Sequence, residues 1–222
     1  MLIDTVRYEL PPEGISLLGY IVRRMHKTEL LLSVPELLAQ RKSSKALEHI
    51  ALYTAAASAS YGRAYYQPTF DLTGATVRES DPATGAIVTA RLESRTPHYH
   101  ITYEVSLPDS GRFQGSETIT GTTVGLRGLG MPAPSQFSYI TGGYHAKLTG
   151  TITSELALSL FGHTRIRAYG FLNFEDNVGN SGKLELNRDG DITMTINNDQ
   201  PTSHTLPATL WLEKNAQALL SS

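Results

Sequence analysis

The chain has 222 residues, 40% of them apolar and 18% charged, with a formal net charge of −2 and no cysteine. This length and composition belong to a folded chain that can bury a sizeable core, not to a disordered one. The missing cysteines exclude disulfides, thiolate metal sites and a cysteine nucleophile, and the weak charge lacks the basic face that phosphate neutralisation needs, so nucleic acid is not an expected partner.

The opening Met1-Leu-Ile-Asp-Thr has no basic stretch leading into an apolar one, and the longest purely apolar run near the start is Leu30-Leu31-Leu32. Neither a secretory leader nor a membrane span of about 20 apolar residues is visible. The expectation is a cytoplasmic protein.

A first helix is predicted over about 13–32, with Leu18, Ile21, Val22 and Met25 as its apolar stripe. Ser33-Val34-Pro35-Glu36 then reads as a capping box, with Pro35 in the first turn, where its missing N–H does little harm. A third helix is expected over about 45–61, with Leu47, Ile50 and Thr54 on one stripe and Gly62 as its stop. Alanines 55, 56, 57 and 59 let another element approach it closely, so it is expected to lie on a sheet or plug a barrel.

Near Tyr66–Pro68 the apolar period changes from three or four to two. From Phe70 onward nine or ten strands are expected. Their hairpin signals are Asp81–Gly85, Pro108–Gly111, Asp176–Gly182 and Asp189-Gly190. No helical pattern separates successive strands, so pairing should be antiparallel. Glycines inside strand patterns, at Thr73-Gly74, Thr120-Gly121, Thr149-Gly150 and Gly170, suggest sharp coiling or close approach of another backbone. Pro207 places a last strand, 205–213, at an edge. The expected fold is α+β, mainly β: an N-terminal helical segment (1–67) packed on an antiparallel β-barrel, lipocalin-like, or on a bent sandwich (68–222), the two halves forming one cooperative unit.

Pro97-His98-Tyr99-His100-Ile101-Thr102-Tyr103-Glu104 carries the most suggestive chemistry. On a strand, His98, His100, Thr102 and Glu104 share one face, while Tyr99, Ile101, Tyr103 and Val105 share the other. Two imidazoles and a carboxylate can hold a divalent transition metal. With Gly111 the spacing resembles the first metal motif of cupins, His-x-His-x(3)-Glu-x(6)-Gly. That resemblance implies His98, His100 and Glu104 as metal ligands. The chain departs from the pattern at Leu92, where a glycine is expected. In the second motif Gly142 and His145 keep their separation, but Ile140 replaces a proline and Thr149 an asparagine. The other reading of the same strand is an amphipathic one whose histidines face solvent, with no cofactor required.

There are 11 tyrosines. Tyr99, Tyr103, Phe137, Tyr139 and Tyr144 lie on apolar strand faces and could line a pocket for a small apolar or aromatic ligand. A tyrosine-rich solid core is the alternative. The loop 125–134 holds three glycines and two prolines, and its leucines suggest a segment folded over a barrel mouth or a partner. Arg165 and Arg167 share a face with His163 and Tyr169, and Glu175-Asp176 reads as turn chemistry.

Three functions fit these features. The first is a binding protein with a small apolar ligand in a Tyr-lined barrel, by likeness to lipocalin-like barrels. The second is an enzyme on the same barrel, metal-dependent through His98, His100 and Glu104 or a metal-free isomerase or cyclase. The third is an accessory subunit that meets a protein partner, or a second copy in a homodimer, through the N-terminal helices or an edge strand.

Overall fold

The computed structural model describes residues 3–5, 28–61, 76–92, 98–108, 111–120, 132–158, 164–188 and 191–205. Three helices occur there: α1 (Glu29–Leu32), α2 (Val34–Ala39) and α3 (Ser43–Tyr61). The strands are β1 (Ile3–Thr5), β2 (Thr76–Ser80), β3 (Ile87–Leu92), β4 (His98–Ser106), β5 (Arg112–Thr120) and β6 (Pro132–Thr141). They continue as β7 (Tyr144–Leu158), β8 (Thr164–Asp176), β9 (Ser181–Leu186), β10 (Asp191–Ile196) and β11 (Thr202–Thr205).

All eleven strands form one antiparallel sheet in strict chain order, β1 to β11, and among the described residues the sheet is not closed. This is the mainly β, α+β architecture that the period change predicts. Ten strands follow the helices, within the expected number. The addition is β1, which precedes the helices and pairs with β2 through Ile3↔Glu79 and Thr5↔Val77. The last strand starts earlier than expected, at Thr202. Pro207 lies outside the described residues.

The turns follow from residue chemistry. Asp81 accepts the Ala83 N–H through Oδ1 and hydroxyl donors from Thr84 and Thr28 through Oδ2, while Gly85 takes φ +71° to close the β2–β3 hairpin. Gly142, at φ +55°, turns β6 into β7, and Asn197 and Asn198, at +53° and +61°, turn β10 towards β11. Inside the longest hairpin, Gly150 faces the Phe171 carbonyl and Gly170 the Thr151 carbonyl so closely that a Cβ at either would strike the opposing backbone. At these two glycines the expected close approach of another backbone is what the structure shows, between the paired strands β7 and β8. Gly74 and Gly121 lie outside the described residues.

The alternation along the strands makes two faces. One is apolar and buried: Val88, Ala90, Tyr103, Val105, Phe113, Phe137, Tyr139, Ala146, Leu148, Leu172, Phe174, Leu184, Leu186, Ile192 and Met194. Helix α3 packs on it, against β6, β7, β8 and β10. Every residue from Tyr53 to Ser58 is buried, so this stretch of α3 is enclosed on all sides, whereas its first turn reaches solvent at Lys45. Alanine allows this, because it keeps neighbouring backbones close at little entropic cost.

Two polar anchors fix α3. Glu48 is buried and meets Lys45 at 2.6 Å and His204 of β11 at 3.3 Å. At the helix start, Asn180 Nδ2 donates to Ser43 Oγ at 2.9 Å and to Asp176 Oδ2 at 2.7 Å.

The helical segment differs from expectation in one local device. Ser33 makes no side-chain cap, so the capping box does not form. Ser33 also ends α1 and carries helical angles, φ −75° and ψ −15°, whereas a capping residue needs extended ones. Its hydroxyl instead donates to the Leu30 carbonyl and meets His49 Nδ1 at 2.6 Å, which joins the α1–α2 corner to α3. α3 begins two residues before the expected start, at Ser43. Of the first expected helix only 28–32 is described.

Candidate ligand-binding groove

Of the rings expected to line a pocket, Tyr103, Phe137, Tyr139 and Tyr144 lie on the core face. Tyr103 and Phe137 stack at 6.4 Å between centroids, Phe137 and Phe113 at 5.7 Å, and Tyr53 of α3 meets Phe113 edge-on at 4.9 Å. Gly115 stands between Tyr103 and Phe137 in register, and their rings lie over it on the core side. Aromatic cover of a strand glycine shields its backbone and fixes register.

Two further tyrosines carry their hydroxyls to the rim of this core. Tyr139 is buried, and its hydroxyl reaches the Leu31 carbonyl at 3.5 Å. Burial raises its pKa to about 12, against a smaller opposing pull from a hydrogen bond with Thr141. Tyr144 donates to Asp176 Oδ2 at 3.0 Å. Burial first, and then the Asp176 charge, push its ionisation well above the usual tyrosine value. The structure therefore brings together Tyr103 and Phe137, and sets Tyr139 and Tyr144 towards the hairpin end. Tyr99 lies in β4, but its side chain is outside the described residues.

The metal candidates divide in the same way. His98 and His100 belong to β4 and their side chains fall outside the described residues. Glu104 is described, and its Oε2 accepts from Arg112 at 2.8 Å in an ion pair that is partly open to solvent. Among the described residues no group of three His, Asp or Glu stands ready for a metal ion. The side chains of Arg165 and Arg167, and residues 125–131 of the Gly/Pro loop, also lie outside them.

A groove lies on the other face of the sheet. It has a volume of about 710 Å³ and crosses β2 to β7, with Tyr103, Gly115 and Phe137 at its floor. Its walls are Thr89, Arg91, Thr102, Glu104, Gln114, Ser116, Gln136, Ser138 and Lys147, with Thr76 at the β2 end. The register sorts them into two rows. One runs Thr89↔Glu104↔Gln114↔Ser138↔Lys147, the other Arg91↔Thr102↔Ser116↔Gln136. Each of β3 to β6 contributes one residue to each row, because alternate residues share a face.

Hydroxyls and amides dominate these rows. Thr and Ser each donate once and accept twice, and Gln offers two donors and an acceptor. Such a surface can grip several hydrogen-bonding groups of one ligand in fixed positions. The strand reading of 98–105 reached this face, placing Thr102 and Glu104 together and opposite Tyr103. It could not reach Ser116 and Gln136, which only the pairing of β4, β5 and β6 sets beside them.

Among the described residues no helix is long and apolar enough to cross a membrane. Comparisons of the chain with protein-family models, with curated proteins and with solved structures find no match.

Proposed function

We propose that this chain is a binding protein whose ligand is a small, uncharged molecule rich in hydroxyl groups, held in the groove across β2–β7. The supporting observation is the double row of Thr, Ser and Gln side chains around a volume of about 710 Å³. A buried or half-buried polar contact discriminates strongly, because a ligand lacking the matching group leaves the protein's own donor or acceptor unpaired. Three charged side chains line the groove, Arg91, Glu104 and Lys147, against six hydroxyl or amide side chains in the two rows, and Glu104 is already paired with Arg112; the majority of neutral groups favours a ligand rich in hydroxyls. This keeps the binding class expected from the sequence and changes the ligand from apolar to polar, since Tyr103 and Phe137 pack on Phe113 beneath α3.

Native mass spectrometry of freshly purified protein, followed by calorimetric titration with glucose, myo-inositol and sorbitol, tests it. Saturable binding that is lost in Gln136→Ala is the expected result. Binding only of apolar probes, or polyol binding that Gln136→Ala and Ser116→Ala leave unchanged, would overturn it.

A further inference from the structure

The second polar row does not stop at the groove. Beyond Gln136 the register carries it to Thr149 of β7 and Asn173 of β8. Thr102, Ser116, Gln136, Thr149 and Asn173 are therefore five uncharged hydrogen-bonding side chains on five successive strands. At about 4.8 Å per strand they cover about 19 Å. A single small polyol uses only part of such a line.

Arg91 and Lys183 stand at the two ends of this line in register, and several flanking charges stand beside opposite ones. Arg112 meets Glu104 at 2.8 Å, Lys183 pairs with Glu185, and Lys147 stands opposite Glu175 in register. Between those ends the line itself is uncharged, so hydrogen bonding and not ion pairing would hold a ligand along it. Next to Asn173, two residues along the same face of β8, Phe171 leaves 38% of its surface exposed, one of few large apolar side chains to do so. Lys183 lies 5.4 Å from its ring centre and adds donors at that spot. Neutral sugars present hydroxyl edges and apolar C–H faces together, so their chains need both a line of hydrogen-bonding groups and an exposed ring.

Resting on the groove as the ligand site, we infer that its ligand is a linear neutral oligosaccharide. Its chain leaves the groove over β7 and β8 along Thr149 and Asn173, with one unit stacked at Phe171.

Titration calorimetry on the full chain with glucose, maltotetraose and cellotetraose decides this. One of the tetrasaccharides should bind about tenfold or more tighter than glucose. Phe171→Ala should reduce that tetrasaccharide affinity about tenfold. Val178→Ala, another exposed apolar side chain, in the turn after β8 and in neither row, should leave it unchanged. Glucose binding without any gain from chain length would overturn the extended path while leaving the groove reading intact. Loss of all sugar and polyol binding would remove both. Equal affinity for a Ser/Gln-rich peptide would overturn the oligosaccharide in favour of a protein partner.

Discussion

The ring of Tyr53 meets that of Phe113 edge-on, with centroids 4.9 Å apart and planes at 83°. The contact joins α3 to β5, but among the described residues the Tyr53 hydroxyl has no hydrogen-bond partner, and it has no exposure. A buried unpaired hydroxyl costs about 1–3 kcal/mol. Tyr53→Phe keeps the ring and removes that penalty. We expect an unfolding free energy unchanged or raised by about 1 kcal/mol, measured by urea denaturation. A loss of stability would show that the hydroxyl has a partner.

Gly115 is the second test of the core. A Cβ there would strike the Phe137 ring and come within 3.1 Å of Tyr103. Both rings are themselves packed, so neither can swing aside freely. Gly115→Ala should destabilise by about 1–3 kcal/mol through overpacking. The double change Gly115→Ala with Phe137→Leu should recover part of the loss, and if it recovers none the ring is not what excludes the methyl group.

Alkaline pH should weaken the fold. An unfolded tyrosine ionises near 10, whereas Tyr139 in the native state ionises at about 12 and Tyr53 and Tyr144 are shifted in the same direction. Between those values the unfolded chain holds fewer protons than the native one, so stability falls as pH rises. The contribution is whole below about pH 10 and is lost by about 1.4 kcal/mol per pH unit for each such group. Urea midpoints at about pH 9 and about pH 11, followed beside tyrosinate absorbance, measure it. Equal midpoints would contradict the burial of these hydroxyls.

Asp176 collects four donors. They are the backbone N–H groups of Val178 and Asn180, the Asn180 amide and the Tyr144 hydroxyl. Asn180 then reaches Ser43 and accepts from Asn197, so three hairpin turns and the start of α3 share one network. Asp176→Ala should cost about 2–4 kcal/mol, since at least two partly buried partners are left unpaired. Hydrogen exchange should quicken at the start of α3 as well as in the turn. Faster exchange in the turn alone would show that α3 is held by its apolar contacts.

How much of this was legible depends on sequence distance. The passage from helix before residue 62 to strand after residue 75, the Asp81–Gly85 and Asp176–Gly182 turns, and the opposite faces of Tyr103 and Glu104 follow from local features, and the structure carries each of them. The failed cap at Ser33 shows where local rules stop. Its angles answer to α1 ending on the same residue that begins α2. The groove was out of reach for a different reason. Thr102, Ser116 and Gln136 are separated along the chain and become neighbours only through two hairpin registers. Nothing in a strand's own alternation states which residue of the next strand it will face. Strand β1 was hidden likewise, because three residues carry no readable period.

The single layer of backbone at Tyr103, Gly115 and Phe137 separates two kinds of selection. Below it, a change of one methyl group disturbs rings and helix together. Above it, Thr102, Ser116, Gln136 and Ser138 touch no part of that interior, and substitutions of such surface side chains usually stay within about 0.5 kcal/mol. Descendants of this chain can therefore exchange one hydroxyl or amide for another, and so trade ligands, without a compensating repair in the interior. The fold is a scaffold on which recognition can drift while the architecture stays put.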